Sequence, residues 1–105
     1  MVIGYIRVST EKQNVSNQKD EILRFASLND WTIDRWVTEV VSGKRDVKSR
    51  KLGKVLRHLR RGDTLVVTEV SRLSRSLTEI MAIMGLCVKK GVNIYTTKEK
   101  YQFDN

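Results

Sequence analysis

Proline is absent from this chain, and cysteine and histidine occur once each. Without proline or a Gly/Ser-rich stretch no segment reads as a linker, so the 105 residues are expected to form one domain, 1–105. The single Cys87 cannot form an internal disulfide. It lies in the apolar stretch IMAIMGLCVKK and reads as a small core hydrophobe. A lone cysteine and a lone histidine, with no carboxylates at ligand spacing, leave no zinc site, so no metal or other cofactor is expected. No apolar run approaches the roughly 18 residues of a membrane span, and the N-terminus carries no secretory signal. A cytoplasmic protein with no membrane partner is expected.

What is present is charge, unevenly distributed. Between Ser42 and Arg75 stand eleven basic residues against three acids, while the rest of the chain balances at nine of each sign. The whole formal net charge of +8 therefore resides in one third of the sequence. Such an asymmetric surface concentrates a polyanion, and nucleic acid is the commonest cellular one. A solvated basic helix is the plainer alternative.

Periodicity sets the fold class. Val2, Ile3, Ile6 and Val8 are β-formers, and alternation puts Tyr5, Arg7 and Ser9 on one face, either solvated or functional. Val15, Ile22, Phe25, Ala26 and Leu28 recur at helical spacing, with Asn14 or Ser16 as N-cap. WTIDRWVTEVV alternates as a strand, and SGKRDVKS is a charged loop. In RKLGKVLRHLRR, Leu52, Val55, Leu56 and Leu59 form one helical stripe, closed by Gly62. TLVVTEV is a third strand, Leu77 to Lys90 a helix ended by Gly91, and VNIYTT a fourth strand. Strands alternating with helices predict a three-layer α/β fold: a mainly parallel sheet of four to five strands with helices on both faces. Ligands in such folds gather beyond the carboxyl ends of the strands. Ser9 lies at one such end, and Ser71, Arg72 and Arg75 just past another.

A serine near several arginines, with no acid–base partner of the usual kind, suggests phosphate chemistry. The only histidine, His58, falls in the basic helix, which disfavours a Ser-His-Asp triad. Guanidinium groups pair bidentately with phosphate oxygens and stabilise the charge that develops in phosphoryl transfer. Serine attack on a phosphodiester would exchange one ester for another, storing the bond without ATP.

The segment Y-I-R-V-S-T (5–10), Gln13 and Gln18, Arg50 in S-R-K-L, and S-R-L-S-R-S (71–76) after a strand together resemble the N-terminal catalytic domain of the serine recombinases, the resolvase/invertase family. The resemblance spans essentially the whole chain. It implies that Ser9 is the nucleophile joined to the 5′ phosphate of a broken DNA strand, with Arg7, Arg50, Arg72 and Arg75 around that phosphate. It implies supporting roles for Gln13 and Gln18, against simple turn polarity, and for Tyr5, against ordinary strand packing. Many relatives carry an aspartate where this chain has Ser71. That departure leaves Glu69, read as lying on the same strand face, and an arginine as rival proton donors. Ser74 and Ser76 read as loop polarity and a helix cap rather than as rival nucleophiles. Lys44 and Arg45 either touch the DNA backbone or are solvated loop charge.

Members of this family usually continue into a long helix and a helix-turn-helix domain, whereas this chain stops at YQFDN, as an excised fragment or a short natural product would. The partners implied are double-stranded DNA and, for the full-length protein, further copies of itself as a homodimer or tetramer in a bacterial, phage or mobile-element setting. Two alternatives stand beside a recombinase: a DNA-binding or regulatory module of this fold without cleavage activity, and a phosphate-handling enzyme acting on a small molecule.

Overall fold

The computed structural model describes residues 1–9, 15–41, 50–99 and the strand backbone at 102–103. The apolar N-terminal run forms strand β1, Val2–Val8, and its alternation divides the core in two. Ile3 and Tyr5 join one cluster, with Leu52, Leu56, Leu65, Leu73, Ile83 and Cys87. Ile6 and Val8 join the other, with Ile22 and Val66 and, at its margin, Phe25, Trp31 and Trp36. Both faces of β1 are therefore covered by helices, and Tyr5 and Arg7 are buried, which excludes the solvated-face alternative. Each fully buried Ile or Leu contributes about 1.5–3 kcal/mol. Gly4 is required by its neighbour: a Cβ there would stand 2.6 Å from the Trp36 ring.

Helix α1, Val15–Leu28, buries Gln18, Ile22 and Ala26 on the second cluster. Leu28 lies two residues past Ala26, off that stripe, and is 81% exposed, contrary to the sequence pattern. Because α1 begins at Val15, Ser16 lies within its first turn and is not its N-cap. Asn14 lies outside the described residues, as do Gln13, Lys44 and Arg45.

Strand β2 spans Arg35–Val40, so the Trp31–Asp34 part of the predicted strand is a connection instead. Helix α2, Lys51–His58, ends at Leu59, whose backbone turns extended. Gly62 is therefore not its cap but the positive-φ residue of the turn into strand β3, Thr64–Val67. A 3₁₀ turn, Val70–Arg72, leads to helix α3, Leu77–Lys90. There Ser76 Oγ accepts the Glu79 amide at the start, and Gly91, in the left-handed region, closes the end. Strand β4, Asn93–Thr96, and strand β5, Gln102–Phe103, complete the sheet.

The strand order is β2-β1-β3-β4-β5, parallel except for β5. From β1 the chain passes outward to β2, then crosses back over β1 to β3. That reversal opens a crevice beyond the carboxyl ends of β1 and β3. Among the described residues no helix is long and apolar enough to cross a membrane.

Candidate active site

The crevice exists because β1 outruns its neighbour. It pairs with β2 along Ile3–Val8 but with β3 only along Val2–Gly4. The Met1 carbonyl accepts from Thr64 of β3, while the Val2 and Val8 carbonyls accept from Asp34 and Val41 on the other side. Odd-numbered carbonyls of β1 thus face β3, and that of Arg7 faces the gap beyond it. Left alone it would be a buried orphan.

Two side chains take its place in the ladder. Gln18 Nε2 and Arg72 Nη1 each donate to the Arg7 carbonyl at 3.2 Å. Arg7 returns the grip, its Nε donating to the Arg72 carbonyl (3.0 Å) and its Nη2 to the Ser71 carbonyl (2.7 Å). The 3₁₀ turn after β3 is thereby fastened to the end of β1, two residues before Ser9, which is partly exposed. Arg72 also pairs with Glu69 at 3.5 Å. Two polar atoms in this knot, Arg72 Nε and Gln18 Oε1, are buried without a hydrogen-bond partner among the described residues.

A second knot lies beneath. Glu39, 5% exposed, was missed in the sequence, although it occupies the buried register Val37, Glu39, Val41 and is the Cα partner of Arg7 across β1 and β2. Its Oε1 accepts from the Tyr5 hydroxyl (2.6 Å) and from Arg50 Nε (3.4 Å). Its carboxylate also takes the Lys51 and Leu52 amides, the first two of α2, whose N-cap Arg50 offers no side-chain cap. A strand residue thus caps a helix. Arg50 Nη2 donates to the Tyr5 hydroxyl (2.8 Å) and the Leu73 carbonyl (3.1 Å). The Arg50 guanidinium is accordingly turned into the interior, 7% exposed, rather than out into the crevice.

Electrostatics follow from this crowding. Burial, reinforced by Arg75, Arg50 and Arg72, lowers the pKa of Arg7 below its ordinary value. Burial works to raise Glu39, but hydrogen bonds from Tyr5 and the Lys51 amide, with the Arg50 charge, outweigh it and hold the carboxyl below the usual range. Burial and the bond to Glu39 push the Tyr5 phenol above its ordinary value. Burial also works to raise Glu69, yet Arg72 and Lys98 prevail and keep it low. Glu69 lies beyond the end of β3 at Val67, not on the strand as read from the sequence. Ionised at neutral pH, it holds no proton to donate.

Of the sequence-predicted residues, the structure brings together Tyr5, Arg7, Gln18, Arg50, Arg72 and Arg75 around the end of β1, with Glu69 and Ser71 on the adjoining turn. His58 is exposed on α2, its Nδ1 donating to the Lys54 carbonyl. Ser74 and Ser76 are engaged at the start of α3. Among the described residues no group of three or more His, Cys, Asp or Glu is placed to hold a metal ion.

The family model described as the resolvase N-terminal domain matches residues 2–105. The chain belongs to the resolvase family. The resolvase of transposon Tn21 from Escherichia coli is 37% identical over 101 residues, covering 96% of this chain and 49% of that protein. A DNA-invertase of Escherichia phage P1 is 37% identical over 93 residues, covering 89% of this chain and 46% of its own length. This resolvase-family chain thus spans about half the length of the curated relatives it matches. Its fold is shared by solved crystal structures, among them the following two. The N-terminal catalytic domain of TP901-1 integrase superposes with a TM-score of 0.79 at 21% identity, over 96% of this chain and 79% of that one. A resolvase-family site-specific recombinase from Streptococcus pneumoniae gives 0.78 at 22%, over 96% and 74%.

Proposed function

We propose that residues 1–105 are the catalytic domain of a site-specific recombinase that breaks and rejoins double-stranded DNA through a phosphoserine bond to Ser9. The observation that carries this reading is the convergence of Arg7, Arg72 and Arg75 at the crevice where β1 and β3 part, two residues from the serine hydroxyl. Mutually repelling cations gathered at one point are stabilised by an anion. A phosphodiester supplies one, along with an electrophilic phosphorus.

In the step proposed, Ser9 Oγ loses its proton and bonds to phosphorus, and the bond from phosphorus to the 3′ oxygen breaks. The leaving 3′ oxygen takes up a proton to become the 3′ hydroxyl, which balances the proton given up by Ser9, and the 5′ phosphate stays on the serine. Attack by a 3′ hydroxyl on the phosphoserine reverses every bond change, so no nucleotide cofactor is consumed. With Glu69 held ionised, an arginine is the proton donor. Tyr5, Gln18 and Arg50 hold the frame, Gln13 is assigned a supporting role, and Lys44 and Arg45 are assigned to the DNA backbone. A binding module without cleavage is not favoured, since the serine and its arginines are all present. Self-association as dimer or tetramer, and a cytoplasmic setting with a bacterial, phage or mobile-element origin, belong to the same proposal.

The test uses the longest protein the gene encodes, incubated with duplex DNA carrying its recombination site and quenched in denaturant. The unaltered protein is expected to leave a covalent protein–DNA adduct and Ser9→Ala none. An undiminished adduct from Ser9→Ala overturns the assignment.

A further inference from the structure

Arg75 is exposed, and among the described residues its guanidinium forms no hydrogen bond or ion pair, yet it follows directly on the turn that Arg7 grips by the Ser71 and Arg72 carbonyls, and with burial its charge helps to lower the pKa of Arg7. A long cationic side chain near other cations swings into water unless its backbone aims it. Here the backbone is clamped on both sides. Before it, Arg50 donates to the Leu73 carbonyl at 3.1 Å, and the Ser74 hydroxyl, on a residue 3% exposed, donates to Glu79 Oε1 at 2.6 Å. After it, the Ser76 amide donates back to Ser74 Oγ at 3.0 Å, and the Glu79 amide to Ser76 Oγ at 3.3 Å.

Helix α3 does not need all of this. Ser76 alone satisfies its cap, and in the usual capping box the glutamate three residues on reaches back to the amide of the capping residue. In this chain the Ser76 amide is taken by Ser74, and the Glu79 carboxylate binds Ser74 instead. The additional bond fixes the residues that flank Arg75.

We infer that Glu79 is a positioning residue: acting through Ser74, it holds Arg75 on the Arg7–Arg72 side of the crevice so that the three guanidinium groups take one DNA phosphate together. The inference rests on the proposed reading of these arginines as phosphate ligands.

Binding of the 105-residue chain to a short fluorescein-labelled DNA duplex, followed across a salt series well below each variant's melting temperature, tests it. Arg75→Gln is expected to weaken binding roughly tenfold and to flatten the slope of log K against log salt by about 0.9. Glu79→Ala and Ser74→Ala should each reproduce most of that loss, and Glu79→Ala should add little on top of Arg75→Gln. Glu79→Gln keeps an oxygen for the Ser74 hydroxyl and should restore most of the affinity. Charge acting at a distance makes the opposite forecast, with Ala and Gln at position 79 tightening binding equally. That result, or losses that simply add in the Glu79→Ala/Arg75→Gln double variant, overturns the inference alone. An Arg75→Gln variant with undiminished affinity overturns the phosphate reading of Arg75 and this inference with it.

Discussion

Glu39 satisfies a phenol, a guanidinium and two helix amides from one buried carboxylate. Truncation to alanine strands the Arg50 charge inside the protein, and removing one partner of a buried pair costs about 3–5 kcal/mol. Against total stabilities of about 5–15 kcal/mol, Glu39→Ala is expected to lose a large share of the folding free energy at 25 °C, which urea titration would measure. The pH dependence has a definite sign. The folded-state pKa of Glu39 is depressed, so its stabilisation is fully present above the unfolded carboxyl value of about 4.3 and is lost as pH falls through the folded value below it. Glu39→Gln should therefore flatten the acid limb of the stability curve. An acid limb as steep as that of the unaltered protein would remove Glu39 from the account.

Elements were more legible in the sequence than the contacts between them. Helix α3 was read at its observed bounds because both ends are written locally, in Ser76 and Gly91. Gly91→Ala places a side chain at φ 75° and 2.7 Å from Arg61 Nη1. It should cost about 1–2 kcal/mol and lower the melting temperature by several degrees in a calorimetric scan, whereas an unchanged midpoint would show that the helix end tolerates the residue. Helix α2 was misjudged at its end because Leu59 keeps the apolar spacing after the backbone has already turned extended. Its beginning was illegible for another reason, since the cap comes from Glu39 on a different element. The candidate arginines were readable as a set, but not their division of labour. That depends on β3 stopping at Val67 while β1 runs on to Val8, a difference of register that no local pattern records. A polar residue on the buried stripe of α1, Gln18, was the visible trace of that gap.

At the scale of the whole molecule, the two core clusters meet across one sheet, and Cys87, 3% exposed, belongs to the larger of them. Burial pushes its thiol up to about 11. Modification by a thiol reagent near pH 8 therefore requires the domain to open, and should run slower than with an unfolded thiol by a factor on the order of 10³ or more. Glu39→Ala should erase most of that protection. Equal rates in the two proteins would mean that the cluster opens independently of the Glu39 knot. The grip on the turn after β3 has a different kind of consequence. Arg7 and Arg50 hold residues 71–73 by their main-chain oxygens, which every amino acid possesses. The chemical identity of the residue at position 71 is thus uncoupled from the anchoring of the turn, and a lineage is free to exchange that side chain, and with it the reactivity presented at the crevice, without rebuilding the framework that displays it.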